Sequence, residues 1–421
     1  MSRKNTLIVL LLFCCLGLKA QDTITVMQYN LLEYGNYNSG WASCYESNNN
    51  TQIKDECIRT ILDYVKPDIL TVNEFGASTS ILNGFLQHNL NIDGVNYWKS
   101  DNIVNYANSN IINHIFYNSS KMELKRHAVI RTSVRDIDAY ELYFKTKELV
   151  AGDTTKLVCV VAHLKAGEGS TNEGTRRAMI QNAMDFIDEN YPDDNVLIMG
   201  DFNMYSSSES AYRLLTQNYP NHDILFFDPL SLVGGVGQWH SRIQYAPYHT
   251  QSTMAWSDNP CRSGGGLDDR FDMILMSDDI YMGFRNLRYI NNSYLAVGND
   301  GNHFNMSIND GYNSAVPYQV ANALYECSDH LPVTMKMRLY GNLGVDEYDV
   351  TSFQVYPNPT DSQLHIETPY HDLSSYEYRI TNLMGQVLMT GTASPLIDVA
   401  SLPSGIYFIQ IHGTTQKFIK Q

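Results

Sequence analysis

Basic charge is what this sequence has least of. Its 421 residues carry 29 Lys and Arg against 45 Asp and Glu, a formal net charge of -16. Stoichiometric, charge-driven nucleic-acid binding needs stripes of Lys and Arg along the phosphates, so that class is excluded. A protein that grips phosphate locally through bound cations is not. The plainer consequence of the charge is solubility outside a cell. Long apolar runs are also missing. The run from Leu7 to Leu18 falls short of the roughly 20 residues that a bilayer demands, so stable membrane insertion is not expected. Strand-like stretches recur at irregular spacings, which excludes a repeat array.

What is there begins with export. Arg3 and Lys4, the short apolar run, and Lys19-Ala20 read as a signal peptide over residues 1–20. Its removal takes Arg3, Lys4 and Lys19 and no acid, so -16 becomes -19. Five cysteines follow the leader: Cys44, Cys57, Cys159, Cys261 and Cys327. The odd count leaves one thiol over, and Cys159 fits that role inside the buried-strand pattern Leu157 to Val161. The expected pairs are Cys44 with Cys57 across a polar loop, and Cys261 with Cys327.

Strands and helices alternate through the first 340 residues. Ile24 to Met27, Ile69 to Val72, Ile111 to Tyr117, Leu157 to Ala162, Val196 to Met199 and Phe271 to Met276 have strand character. Ile58, Ile61, Leu62 and Val65 fall at helical spacing before Pro67, and Met179, Ala183, Phe186 and Ile187 do so before Pro192. Such alternation sets helices against sheets. Gly341 to Asp349 reads as a hinge. Beyond it come short alternating runs and turn signals without helical period, which predict a small β-sandwich.

Polar islands sit at the strand ends: Tyr29-Asn30, Asn73-Glu74, Gly200-Asp201-Phe202-Asn203 and Ser328-Asp329-His330. Two carboxylates such as Glu74 and Asp201 at about 4 Å would repel by roughly 4 kcal/mol at an effective dielectric near 20, a cost that a divalent cation removes. Hard ions such as Mg²⁺ or Ca²⁺ prefer oxygen groups like these and the Asn30 and Asn203 amides. His330 suits a general base, His163 a donor to a phosphoryl or leaving oxygen, and Asp272 a carboxylate orienting His330. Taken singly, each has a structural explanation: a turn, a helix cap or a surface acid. Their conjunction favours one metal site for cutting phosphate esters.

Met27-Gln28-Tyr29-Asn30, Asn73-Glu74, Val161-Ala162-His163, Gly200-Asp201-Phe202-Asn203, Arg270-Phe271-Asp272 and Ser328-Asp329-His330 stand in the order of one known family. Residues 22–340 resemble the endonuclease/exonuclease/phosphatase superfamily, the deoxyribonuclease I-like proteins. The resemblance implies an α/β fold of two facing mixed β-sheets flanked by helices, a four-layer sandwich. It also implies Mg²⁺-dependent phosphoester hydrolysis by in-line attack of water, with Mn²⁺ or Ca²⁺ as substitutes. Carried over, it makes Asn30, Glu74 and Asp329 metal residues and His163, Asp201, Asn203, Asp272 and His330 catalytic. Asn73 departs from the pattern, because the family commonly has Gln there.

Two further residues are candidate substrate contacts. Arg176, after the polar loop Gly167 to Gly174, could meet a flanking phosphate. His249, in the aromatic stretch with Trp239-His240, Tyr248 and Trp256, could line a base or sugar. Tyr356-Pro357-Asn358-Pro359, Ile380 to Gln386, Leu402 to Tyr407 and Lys417 to Lys420 resemble the type IX secretion sorting domain of Bacteroidetes proteins. That resemblance implies the type IX secretion machinery as a partner and a secreted or cell-surface location. The expected plan is residues 1–20 leader, 21–342 phosphoesterase domain, 343–350 linker and 351–421 sorting domain. The function expected is an exported nuclease with nucleic acid as substrate. The alternatives are a sphingomyelinase-like or small-molecule phosphoesterase, and a non-catalytic surface-binding protein on the same scaffold.

Overall fold

The computed structural model describes residues 22–37, 43–145, 154–217, 223–231, 237–340, 353–367, 373, 377–383, 386–411 and 414–421. The expected leader and the expected linker at 343–350 lie outside the described residues. The chain divides into two compact units, Met1–Gly341 and Asn342–Gln421.

The first unit is built on two sheets. One contains β1 (Asp22–Tyr34), β2 (Ile69–Gly76), β3 (Trp98–Ser100) and β4 (Ile111–Asn118). The other contains β5 (Met122–Ile130), β6 (Ile137–Phe144), β7 (Lys156–His163), β8 (Val196–Asp201), β9 (Phe226–Phe227) and β10 (Asp272–Ser277), in spatial order β5-β6-β7-β8-β10-β9. Then β11 (Leu287–Tyr289), β12 (Leu295–Ala296) and β13 (Val333–Leu339) return to the first sheet, whose order is β11-β13-β1-β2-β4-β3 with β12 beside β13. Both sheets mix parallel and antiparallel neighbours: β1 runs parallel to β2 and antiparallel to β13, and β7 runs parallel to β8.

Period-two side-chain alternation explains the layering. In β1, Ile24 and Val26 join one core with Leu157, Cys159 and Val161 of β7, Leu197 and Met199 of β8, and Ile274 and Met276 of β10. That core fills the space between the sheets. The intervening residues face outward: Met27, Tyr29 and Leu31 pack against Ile58, Ile61 and Leu62 of α1 (Thr51–Val65), and Leu82 and Phe85 of α2 (Thr79–Phe85) complete that side. On the other sheet, Val158, Val160, Val196 and Ile198 meet Met179, Ile180, Ala183 and Ile187 of α3 (Ser170–Asn190) and Leu214 and Leu215 of α4 (Ser210–Thr216). The short α5 (Asp278–Met282) follows β10, and α6 (Tyr318–Cys327) lies beside α1 on the first sheet. The result is the expected four-layer sandwich, helices outside and two facing mixed sheets within.

Local chemistry sets the helix ends. The Asn50 side chain accepts from the Ile53 N–H at 3.0 Å to cap α1, and Lys66 at φ 52° closes it before Pro67. Among the described residues no helix is long and apolar enough to cross a membrane.

The second unit is a small β-sandwich, as its alternating runs predict. Strands β14 (Gln354–Tyr356), β15 (Gln363–Glu367) and β18 (Leu396–Asp398) form one sheet, in the order β14-β15-β18. The other is β17-β16-β19-β20, from β16 (Glu377–Asn382), β17 (Val387–Thr392), β19 (Gly405–Ile411) and β20 (Thr414–Lys420). Leu364, Ile380, Ile397, Ile409 and Phe418 fill the space between them.

The expected cysteine pairs are corrected. Cys44 is bonded to Cys261, while Cys57, Cys159 and Cys327 are free. Cys57 lies on α1 and packs on the helix side of the first sheet, the core that also takes Cys327. The polar loop of Cys44 instead meets the loop of Cys261 over Leu32, where Asn259 Nδ2 donates to Asn48 O at 2.7 Å. Peptide mapping of the non-reduced protein should recover a Cys44–Cys261 linkage and three alkylatable thiols. Cys261→Ser should lower stability by roughly 2–4 kcal/mol, read as a lower melting temperature. A Cys261–Cys327 linkage would contradict this.

Candidate functional site

Alternation that buries the core also aims the polar strand ends. Asn30 shares the inward face of β1 with Val26, and His163, Asp201 and Asp272 continue the inward rows of β7, β8 and β10. Register then sets them in line, because His163 pairs with Asp201 and Asp201 with Asp272. Glu74 would point outward by alternation alone. An irregularity between Val72 and Phe75, with Glu74 itself at φ 55°, breaks the pattern there and turns its carboxylate inward. Gly200 has a steric reason: at φ 146°, a Cβ would lie 1.7 Å from the Ala162 carbonyl oxygen, where β8 presses on β7 beside His163.

These side chains meet. Asn30 Nδ2 donates to Glu74 Oε1 and to Asp201 Oδ2, both at 3.0 Å. His163 Nε2 lies 3.4 Å from Asp201 Oδ2 and 3.9 Å from Glu74 Oε1. His330 Nδ1 is 2.8 Å from Asp272 Oδ2, and its Nε2 is 3.8 Å from Asp201 Oδ2. Asn203, at φ 50°, donates its N–H to Asp201 Oδ1 at 3.1 Å and lies at the edge of the cluster. Ser328 Oγ donates to the Asn30 carbonyl at 2.7 Å and accepts from the His330 N–H at 3.2 Å, tying the His330 loop to β1.

Asp329 lies outside the tight cluster of Glu74, His163 and Asp201. Its Oδ2 accepts from the Ser263 N–H at 2.8 Å, its Oδ1 is buried without a partner, and it acts on Glu74 through charge. Asn73 is scaffolding: its Oδ1 accepts from Gln28 at 2.7 Å and from the Asp201 N–H at 2.8 Å, bridging the sheets.

Two expected substrate contacts are corrected. Arg176 is wholly buried, donating to Glu209 Oε2 at 2.8 Å and to the Lys165 and Gly167 carbonyls at 2.9 Å, so its charge clamps the loop before α3. His249 is also wholly buried, with its ring nitrogens against the carbonyls of Trp239 at 2.8 Å and Leu267 at 3.3 Å. Both side chains are held in the interior by these partners.

Two neighbours carry no motif that would have revealed them. Gln251 puts its side-chain amide 2.7 Å from His330 Nε2. One amide orientation accepts from the protonated ring and the other donates to the neutral ring, so Gln251 can follow either state. Arg135, from the turn between β5 and β6, has a buried guanidinium nitrogen without a partner and is held in the field of Glu74, Asp201 and Glu33.

The electrostatics divide the titratable groups. Burial, with Glu33 and Asp329 nearby, pushes Glu74 up to about 7. Burial, with Asp272 adding and His330 opposing, pushes Asp201 up to about 6. Burial would lower His330, but Asp272 and Asp201 outweigh it and hold the imidazole well above its ordinary range. Burial, aided by Arg135 and His330, drives His163 well below its own. Among the described residues, Glu74, His163 and Asp201 form the cluster whose ligand atoms all lie within 4.8 Å of one another. Two carboxylates at that spacing fit a hard divalent cation, with the imidazole as a nitrogen donor.

The first unit is thus a four-layer sandwich with a carboxylate, amide and histidine cluster between the ends of its sheets. Several solved structures are similar to the chain at low identity. They include zebrafish (D. rerio) TDP2 humanized by 14 mutations, at 14% identity over 75% of this chain and 98% of that one, TM-score 0.45. The human Nocturnin catalytic domain with bound sulfate matches at 15% identity over 76% and 98%, TM-score 0.43. An endonuclease/exonuclease/phosphatase family protein from Bacteroides thetaiotaomicron matches at 13% over 76% and 99%, TM-score 0.44. Residues 354–421 match the family model of the secretion system C-terminal sorting domain, so the chain carries a sorting segment of the secretion type. No curated protein matches the sequence.

The raised carboxyls fix a sign for the metal-free protein. Glu74 and Asp201 hold protons more tightly folded than unfolded, so their contribution to stability is greatest below about pH 4 and falls as pH rises through about 6 to 7. In EDTA, Glu74→Gln should therefore melt higher than the parent at pH 8 and converge with it near pH 4. Added Mg²⁺ or Mn²⁺ should raise the parent's melting temperature more at pH 8 than at pH 5. A cation-induced rise that is larger at pH 5 would contradict the assignment.

Proposed function

We propose that residues 21–342 form a divalent-metal-dependent phosphodiesterase, an exported nuclease acting on DNA or RNA. The observation that carries this reading is the row His163, Asp201, Asp272 across one sheet, facing Asn30 and Glu74 from the other. Glu74 and Asp201, with Asn30 beside them, would hold the cation. When bound, it would neutralise these carboxylates, draw charge from the phosphoryl oxygens and relax the hold that keeps His330 protonated.

The remaining roles fall to the chain's own groups. Asp272, at 2.8 Å, fixes the ring of His330 so that Nε2 faces the cleft and takes the proton of the attacking water. Gln251 steadies that same nitrogen. His163 hydrogen-bonds a phosphoryl or leaving oxygen, and Asn203 lines the phosphate. Arg135, whose free guanidinium nitrogen lies in the field of the carboxylates, stabilises charge on the phosphoryl group.

Residues 1–20 as leader, 343–350 as linker and 351–421 as sorting domain complete the reading, with delivery by the type IX secretion machinery to the surface or the medium. The match of residues 354–421 to a sorting domain supports this. A second substrate reading, a lipid phosphodiester such as sphingomyelin, has one observation in its favour. Trp256 and Tyr312 are 82% and 85% exposed, and the Trp256 loop is joined to the 307 loop through Ala255 N–H and Ser307 Oγ at 2.9 Å. Exposed aromatics suit a lipid interface.

Purified protein with Mg²⁺ or Mn²⁺ should nick plasmid DNA or cut RNA, and EDTA should abolish the activity. His330→Ala should lower kcat by about 10²–10⁴, the usual range for a lost acid-base group, and Glu74→Ala should raise the metal concentration needed. Choline phosphate released from sphingomyelin vesicles, with nucleic acids left intact, would select the lipid reading. Intact DNA, RNA and sphingomyelin after incubation with each metal would end both.

A further inference from the structure

Beside the site, three chain segments lie edge to edge. Asp269 pairs antiparallel with Gln251, and Gln251 pairs antiparallel with His330. The hydrogen bonds are short: Gln251 N–H to Asp269 O at 3.0 Å, Asp269 N–H to Gln251 O at 3.0 Å, and Leu331 N–H to Thr250 O at 2.7 Å. Residues directly opposed across antiparallel segments put their side chains on the same face. Asp269, Gln251 and His330 therefore project together, and the contact between Gln251 and His330 Nε2 identifies that face as the one bearing the site. Two strand spacings, roughly 10 Å, separate the Asp269 and His330 backbones.

On that face the Asp269 carboxylate grips a second histidine. His240 Nδ1 lies 2.6 Å from Asp269 Oδ1, an arrangement that repeats the pairing of His330 with Asp272. The other ring nitrogen, Nε2, lies 3.9 Å from Glu168 Oε1, on a side chain 71% exposed, and the His240 side chain itself is 31% exposed. The ring is held firmly at its base. Trp239 is wholly buried, donates to the Met204 carbonyl at 2.7 Å and stacks with the Arg270 guanidinium at 5.4 Å. The His240 N–H donates to Tyr205 O at 3.3 Å, and the Tyr205 ring meets both His240 and Phe271 edge-on at 5.1 Å. His240 is thus pinned to the segment that follows Asn203 and to the one that precedes Asp272. Among the described residues no partner holds Nε2 as closely as Asp269 holds Nδ1.

We propose that His240 is a substrate-binding residue, with Asp269 as its positioning residue, and that Nε2 accepts a hydrogen bond from a hydroxyl of the alcohol esterified to the scissile phosphate. This rests on the phosphodiesterase reading and gives it a specificity contact. The two carboxylates beside the imidazole, Glu168 and Asp269, repel a second phosphate at this place, so the donor is a neutral hydroxyl such as a sugar supplies. Asp269 takes the Nδ1 N–H as its hydrogen bond and so holds the tautomer that leaves the Nε2 lone pair to accept.

Two aryl phosphodiesters test it: thymidine 5′-(p-nitrophenyl) phosphate, whose alcohol carries sugar oxygens, and methyl p-nitrophenyl phosphate, whose alcohol carries none. His240→Ala should raise KM for the thymidine ester about tenfold with kcat within twofold, and leave both constants for the methyl ester unchanged. His240→Gln, which keeps an acceptor, should recover part of the loss, and Asp269→Asn should fall between. Unchanged turnover of the methyl ester also certifies that each variant is folded. If the parent cuts both esters and His240→Ala affects neither, or both equally, the inference is overturned while the phosphodiesterase reading stands. If the parent cuts neither, the phosphodiesterase reading falls and this inference with it.

Discussion

Everything in the first unit turns on one costly arrangement, two carboxylates withdrawn from water and brought to opposite sides of a single amide. Asn30 Nδ2, at the end of one sheet, donates at 3.0 Å to Glu74 from a neighbouring strand and to Asp201 from the facing sheet. Burial raises both acids, and neither could be left ionised in such a place without a positive partner. Arg135 and His330 supply part of that charge from the protein. The cation proposed for the site would supply the remainder.

Two ordinary rules place the acids there. Strand alternation buries Val26, Val161, Met199 and Ile274 between the sheets and, by the same periodicity, delivers Asn30, His163, Asp201 and Asp272 to the same interior at the strand ends. Register keeps His163, Asp201 and Asp272 abreast. The exceptions mark the places where the rules had to be broken: the irregularity at Glu74, the left-handed Asn203, and Gly200 where no side chain fits. Asn73, reaching across from β2 to the Asp201 N–H, ties the two sheets together just below the site.

Much of this was legible in the sequence because it is local. Apolar runs ending in polar islands gave the strands and their direction, and Pro67 gave the end of α1. The pair β5 and β6 escaped notice, because Met122 to Ile130 mixes Glu, Lys, Arg and His with its apolar residues and an irregularity between Leu124 and Arg126 breaks the alternation. Long-range facts were illegible for a different reason. Cys44 meets Cys261 across 217 residues of chain, and spacing along the sequence favours the nearer Cys57. Arg176 and His249 have side chains that can bind ligands, yet packing commits them to Glu209 and to backbone carbonyls. Gln251 and Arg135 belong to no motif, and only the fold brings them to His330 and to the acids.

The most direct test of the central claim is anomalous diffraction from crystals grown with Mn²⁺. The account predicts a peak between the Glu74 and Asp201 carboxylates at ordinary metal–oxygen distances of about 2.0–2.6 Å, with the Asn30 amide turned or shifted to make room. A fully occupied Mn²⁺ site elsewhere, with Asn30 still bridging the two acids and no density between them, would contradict it.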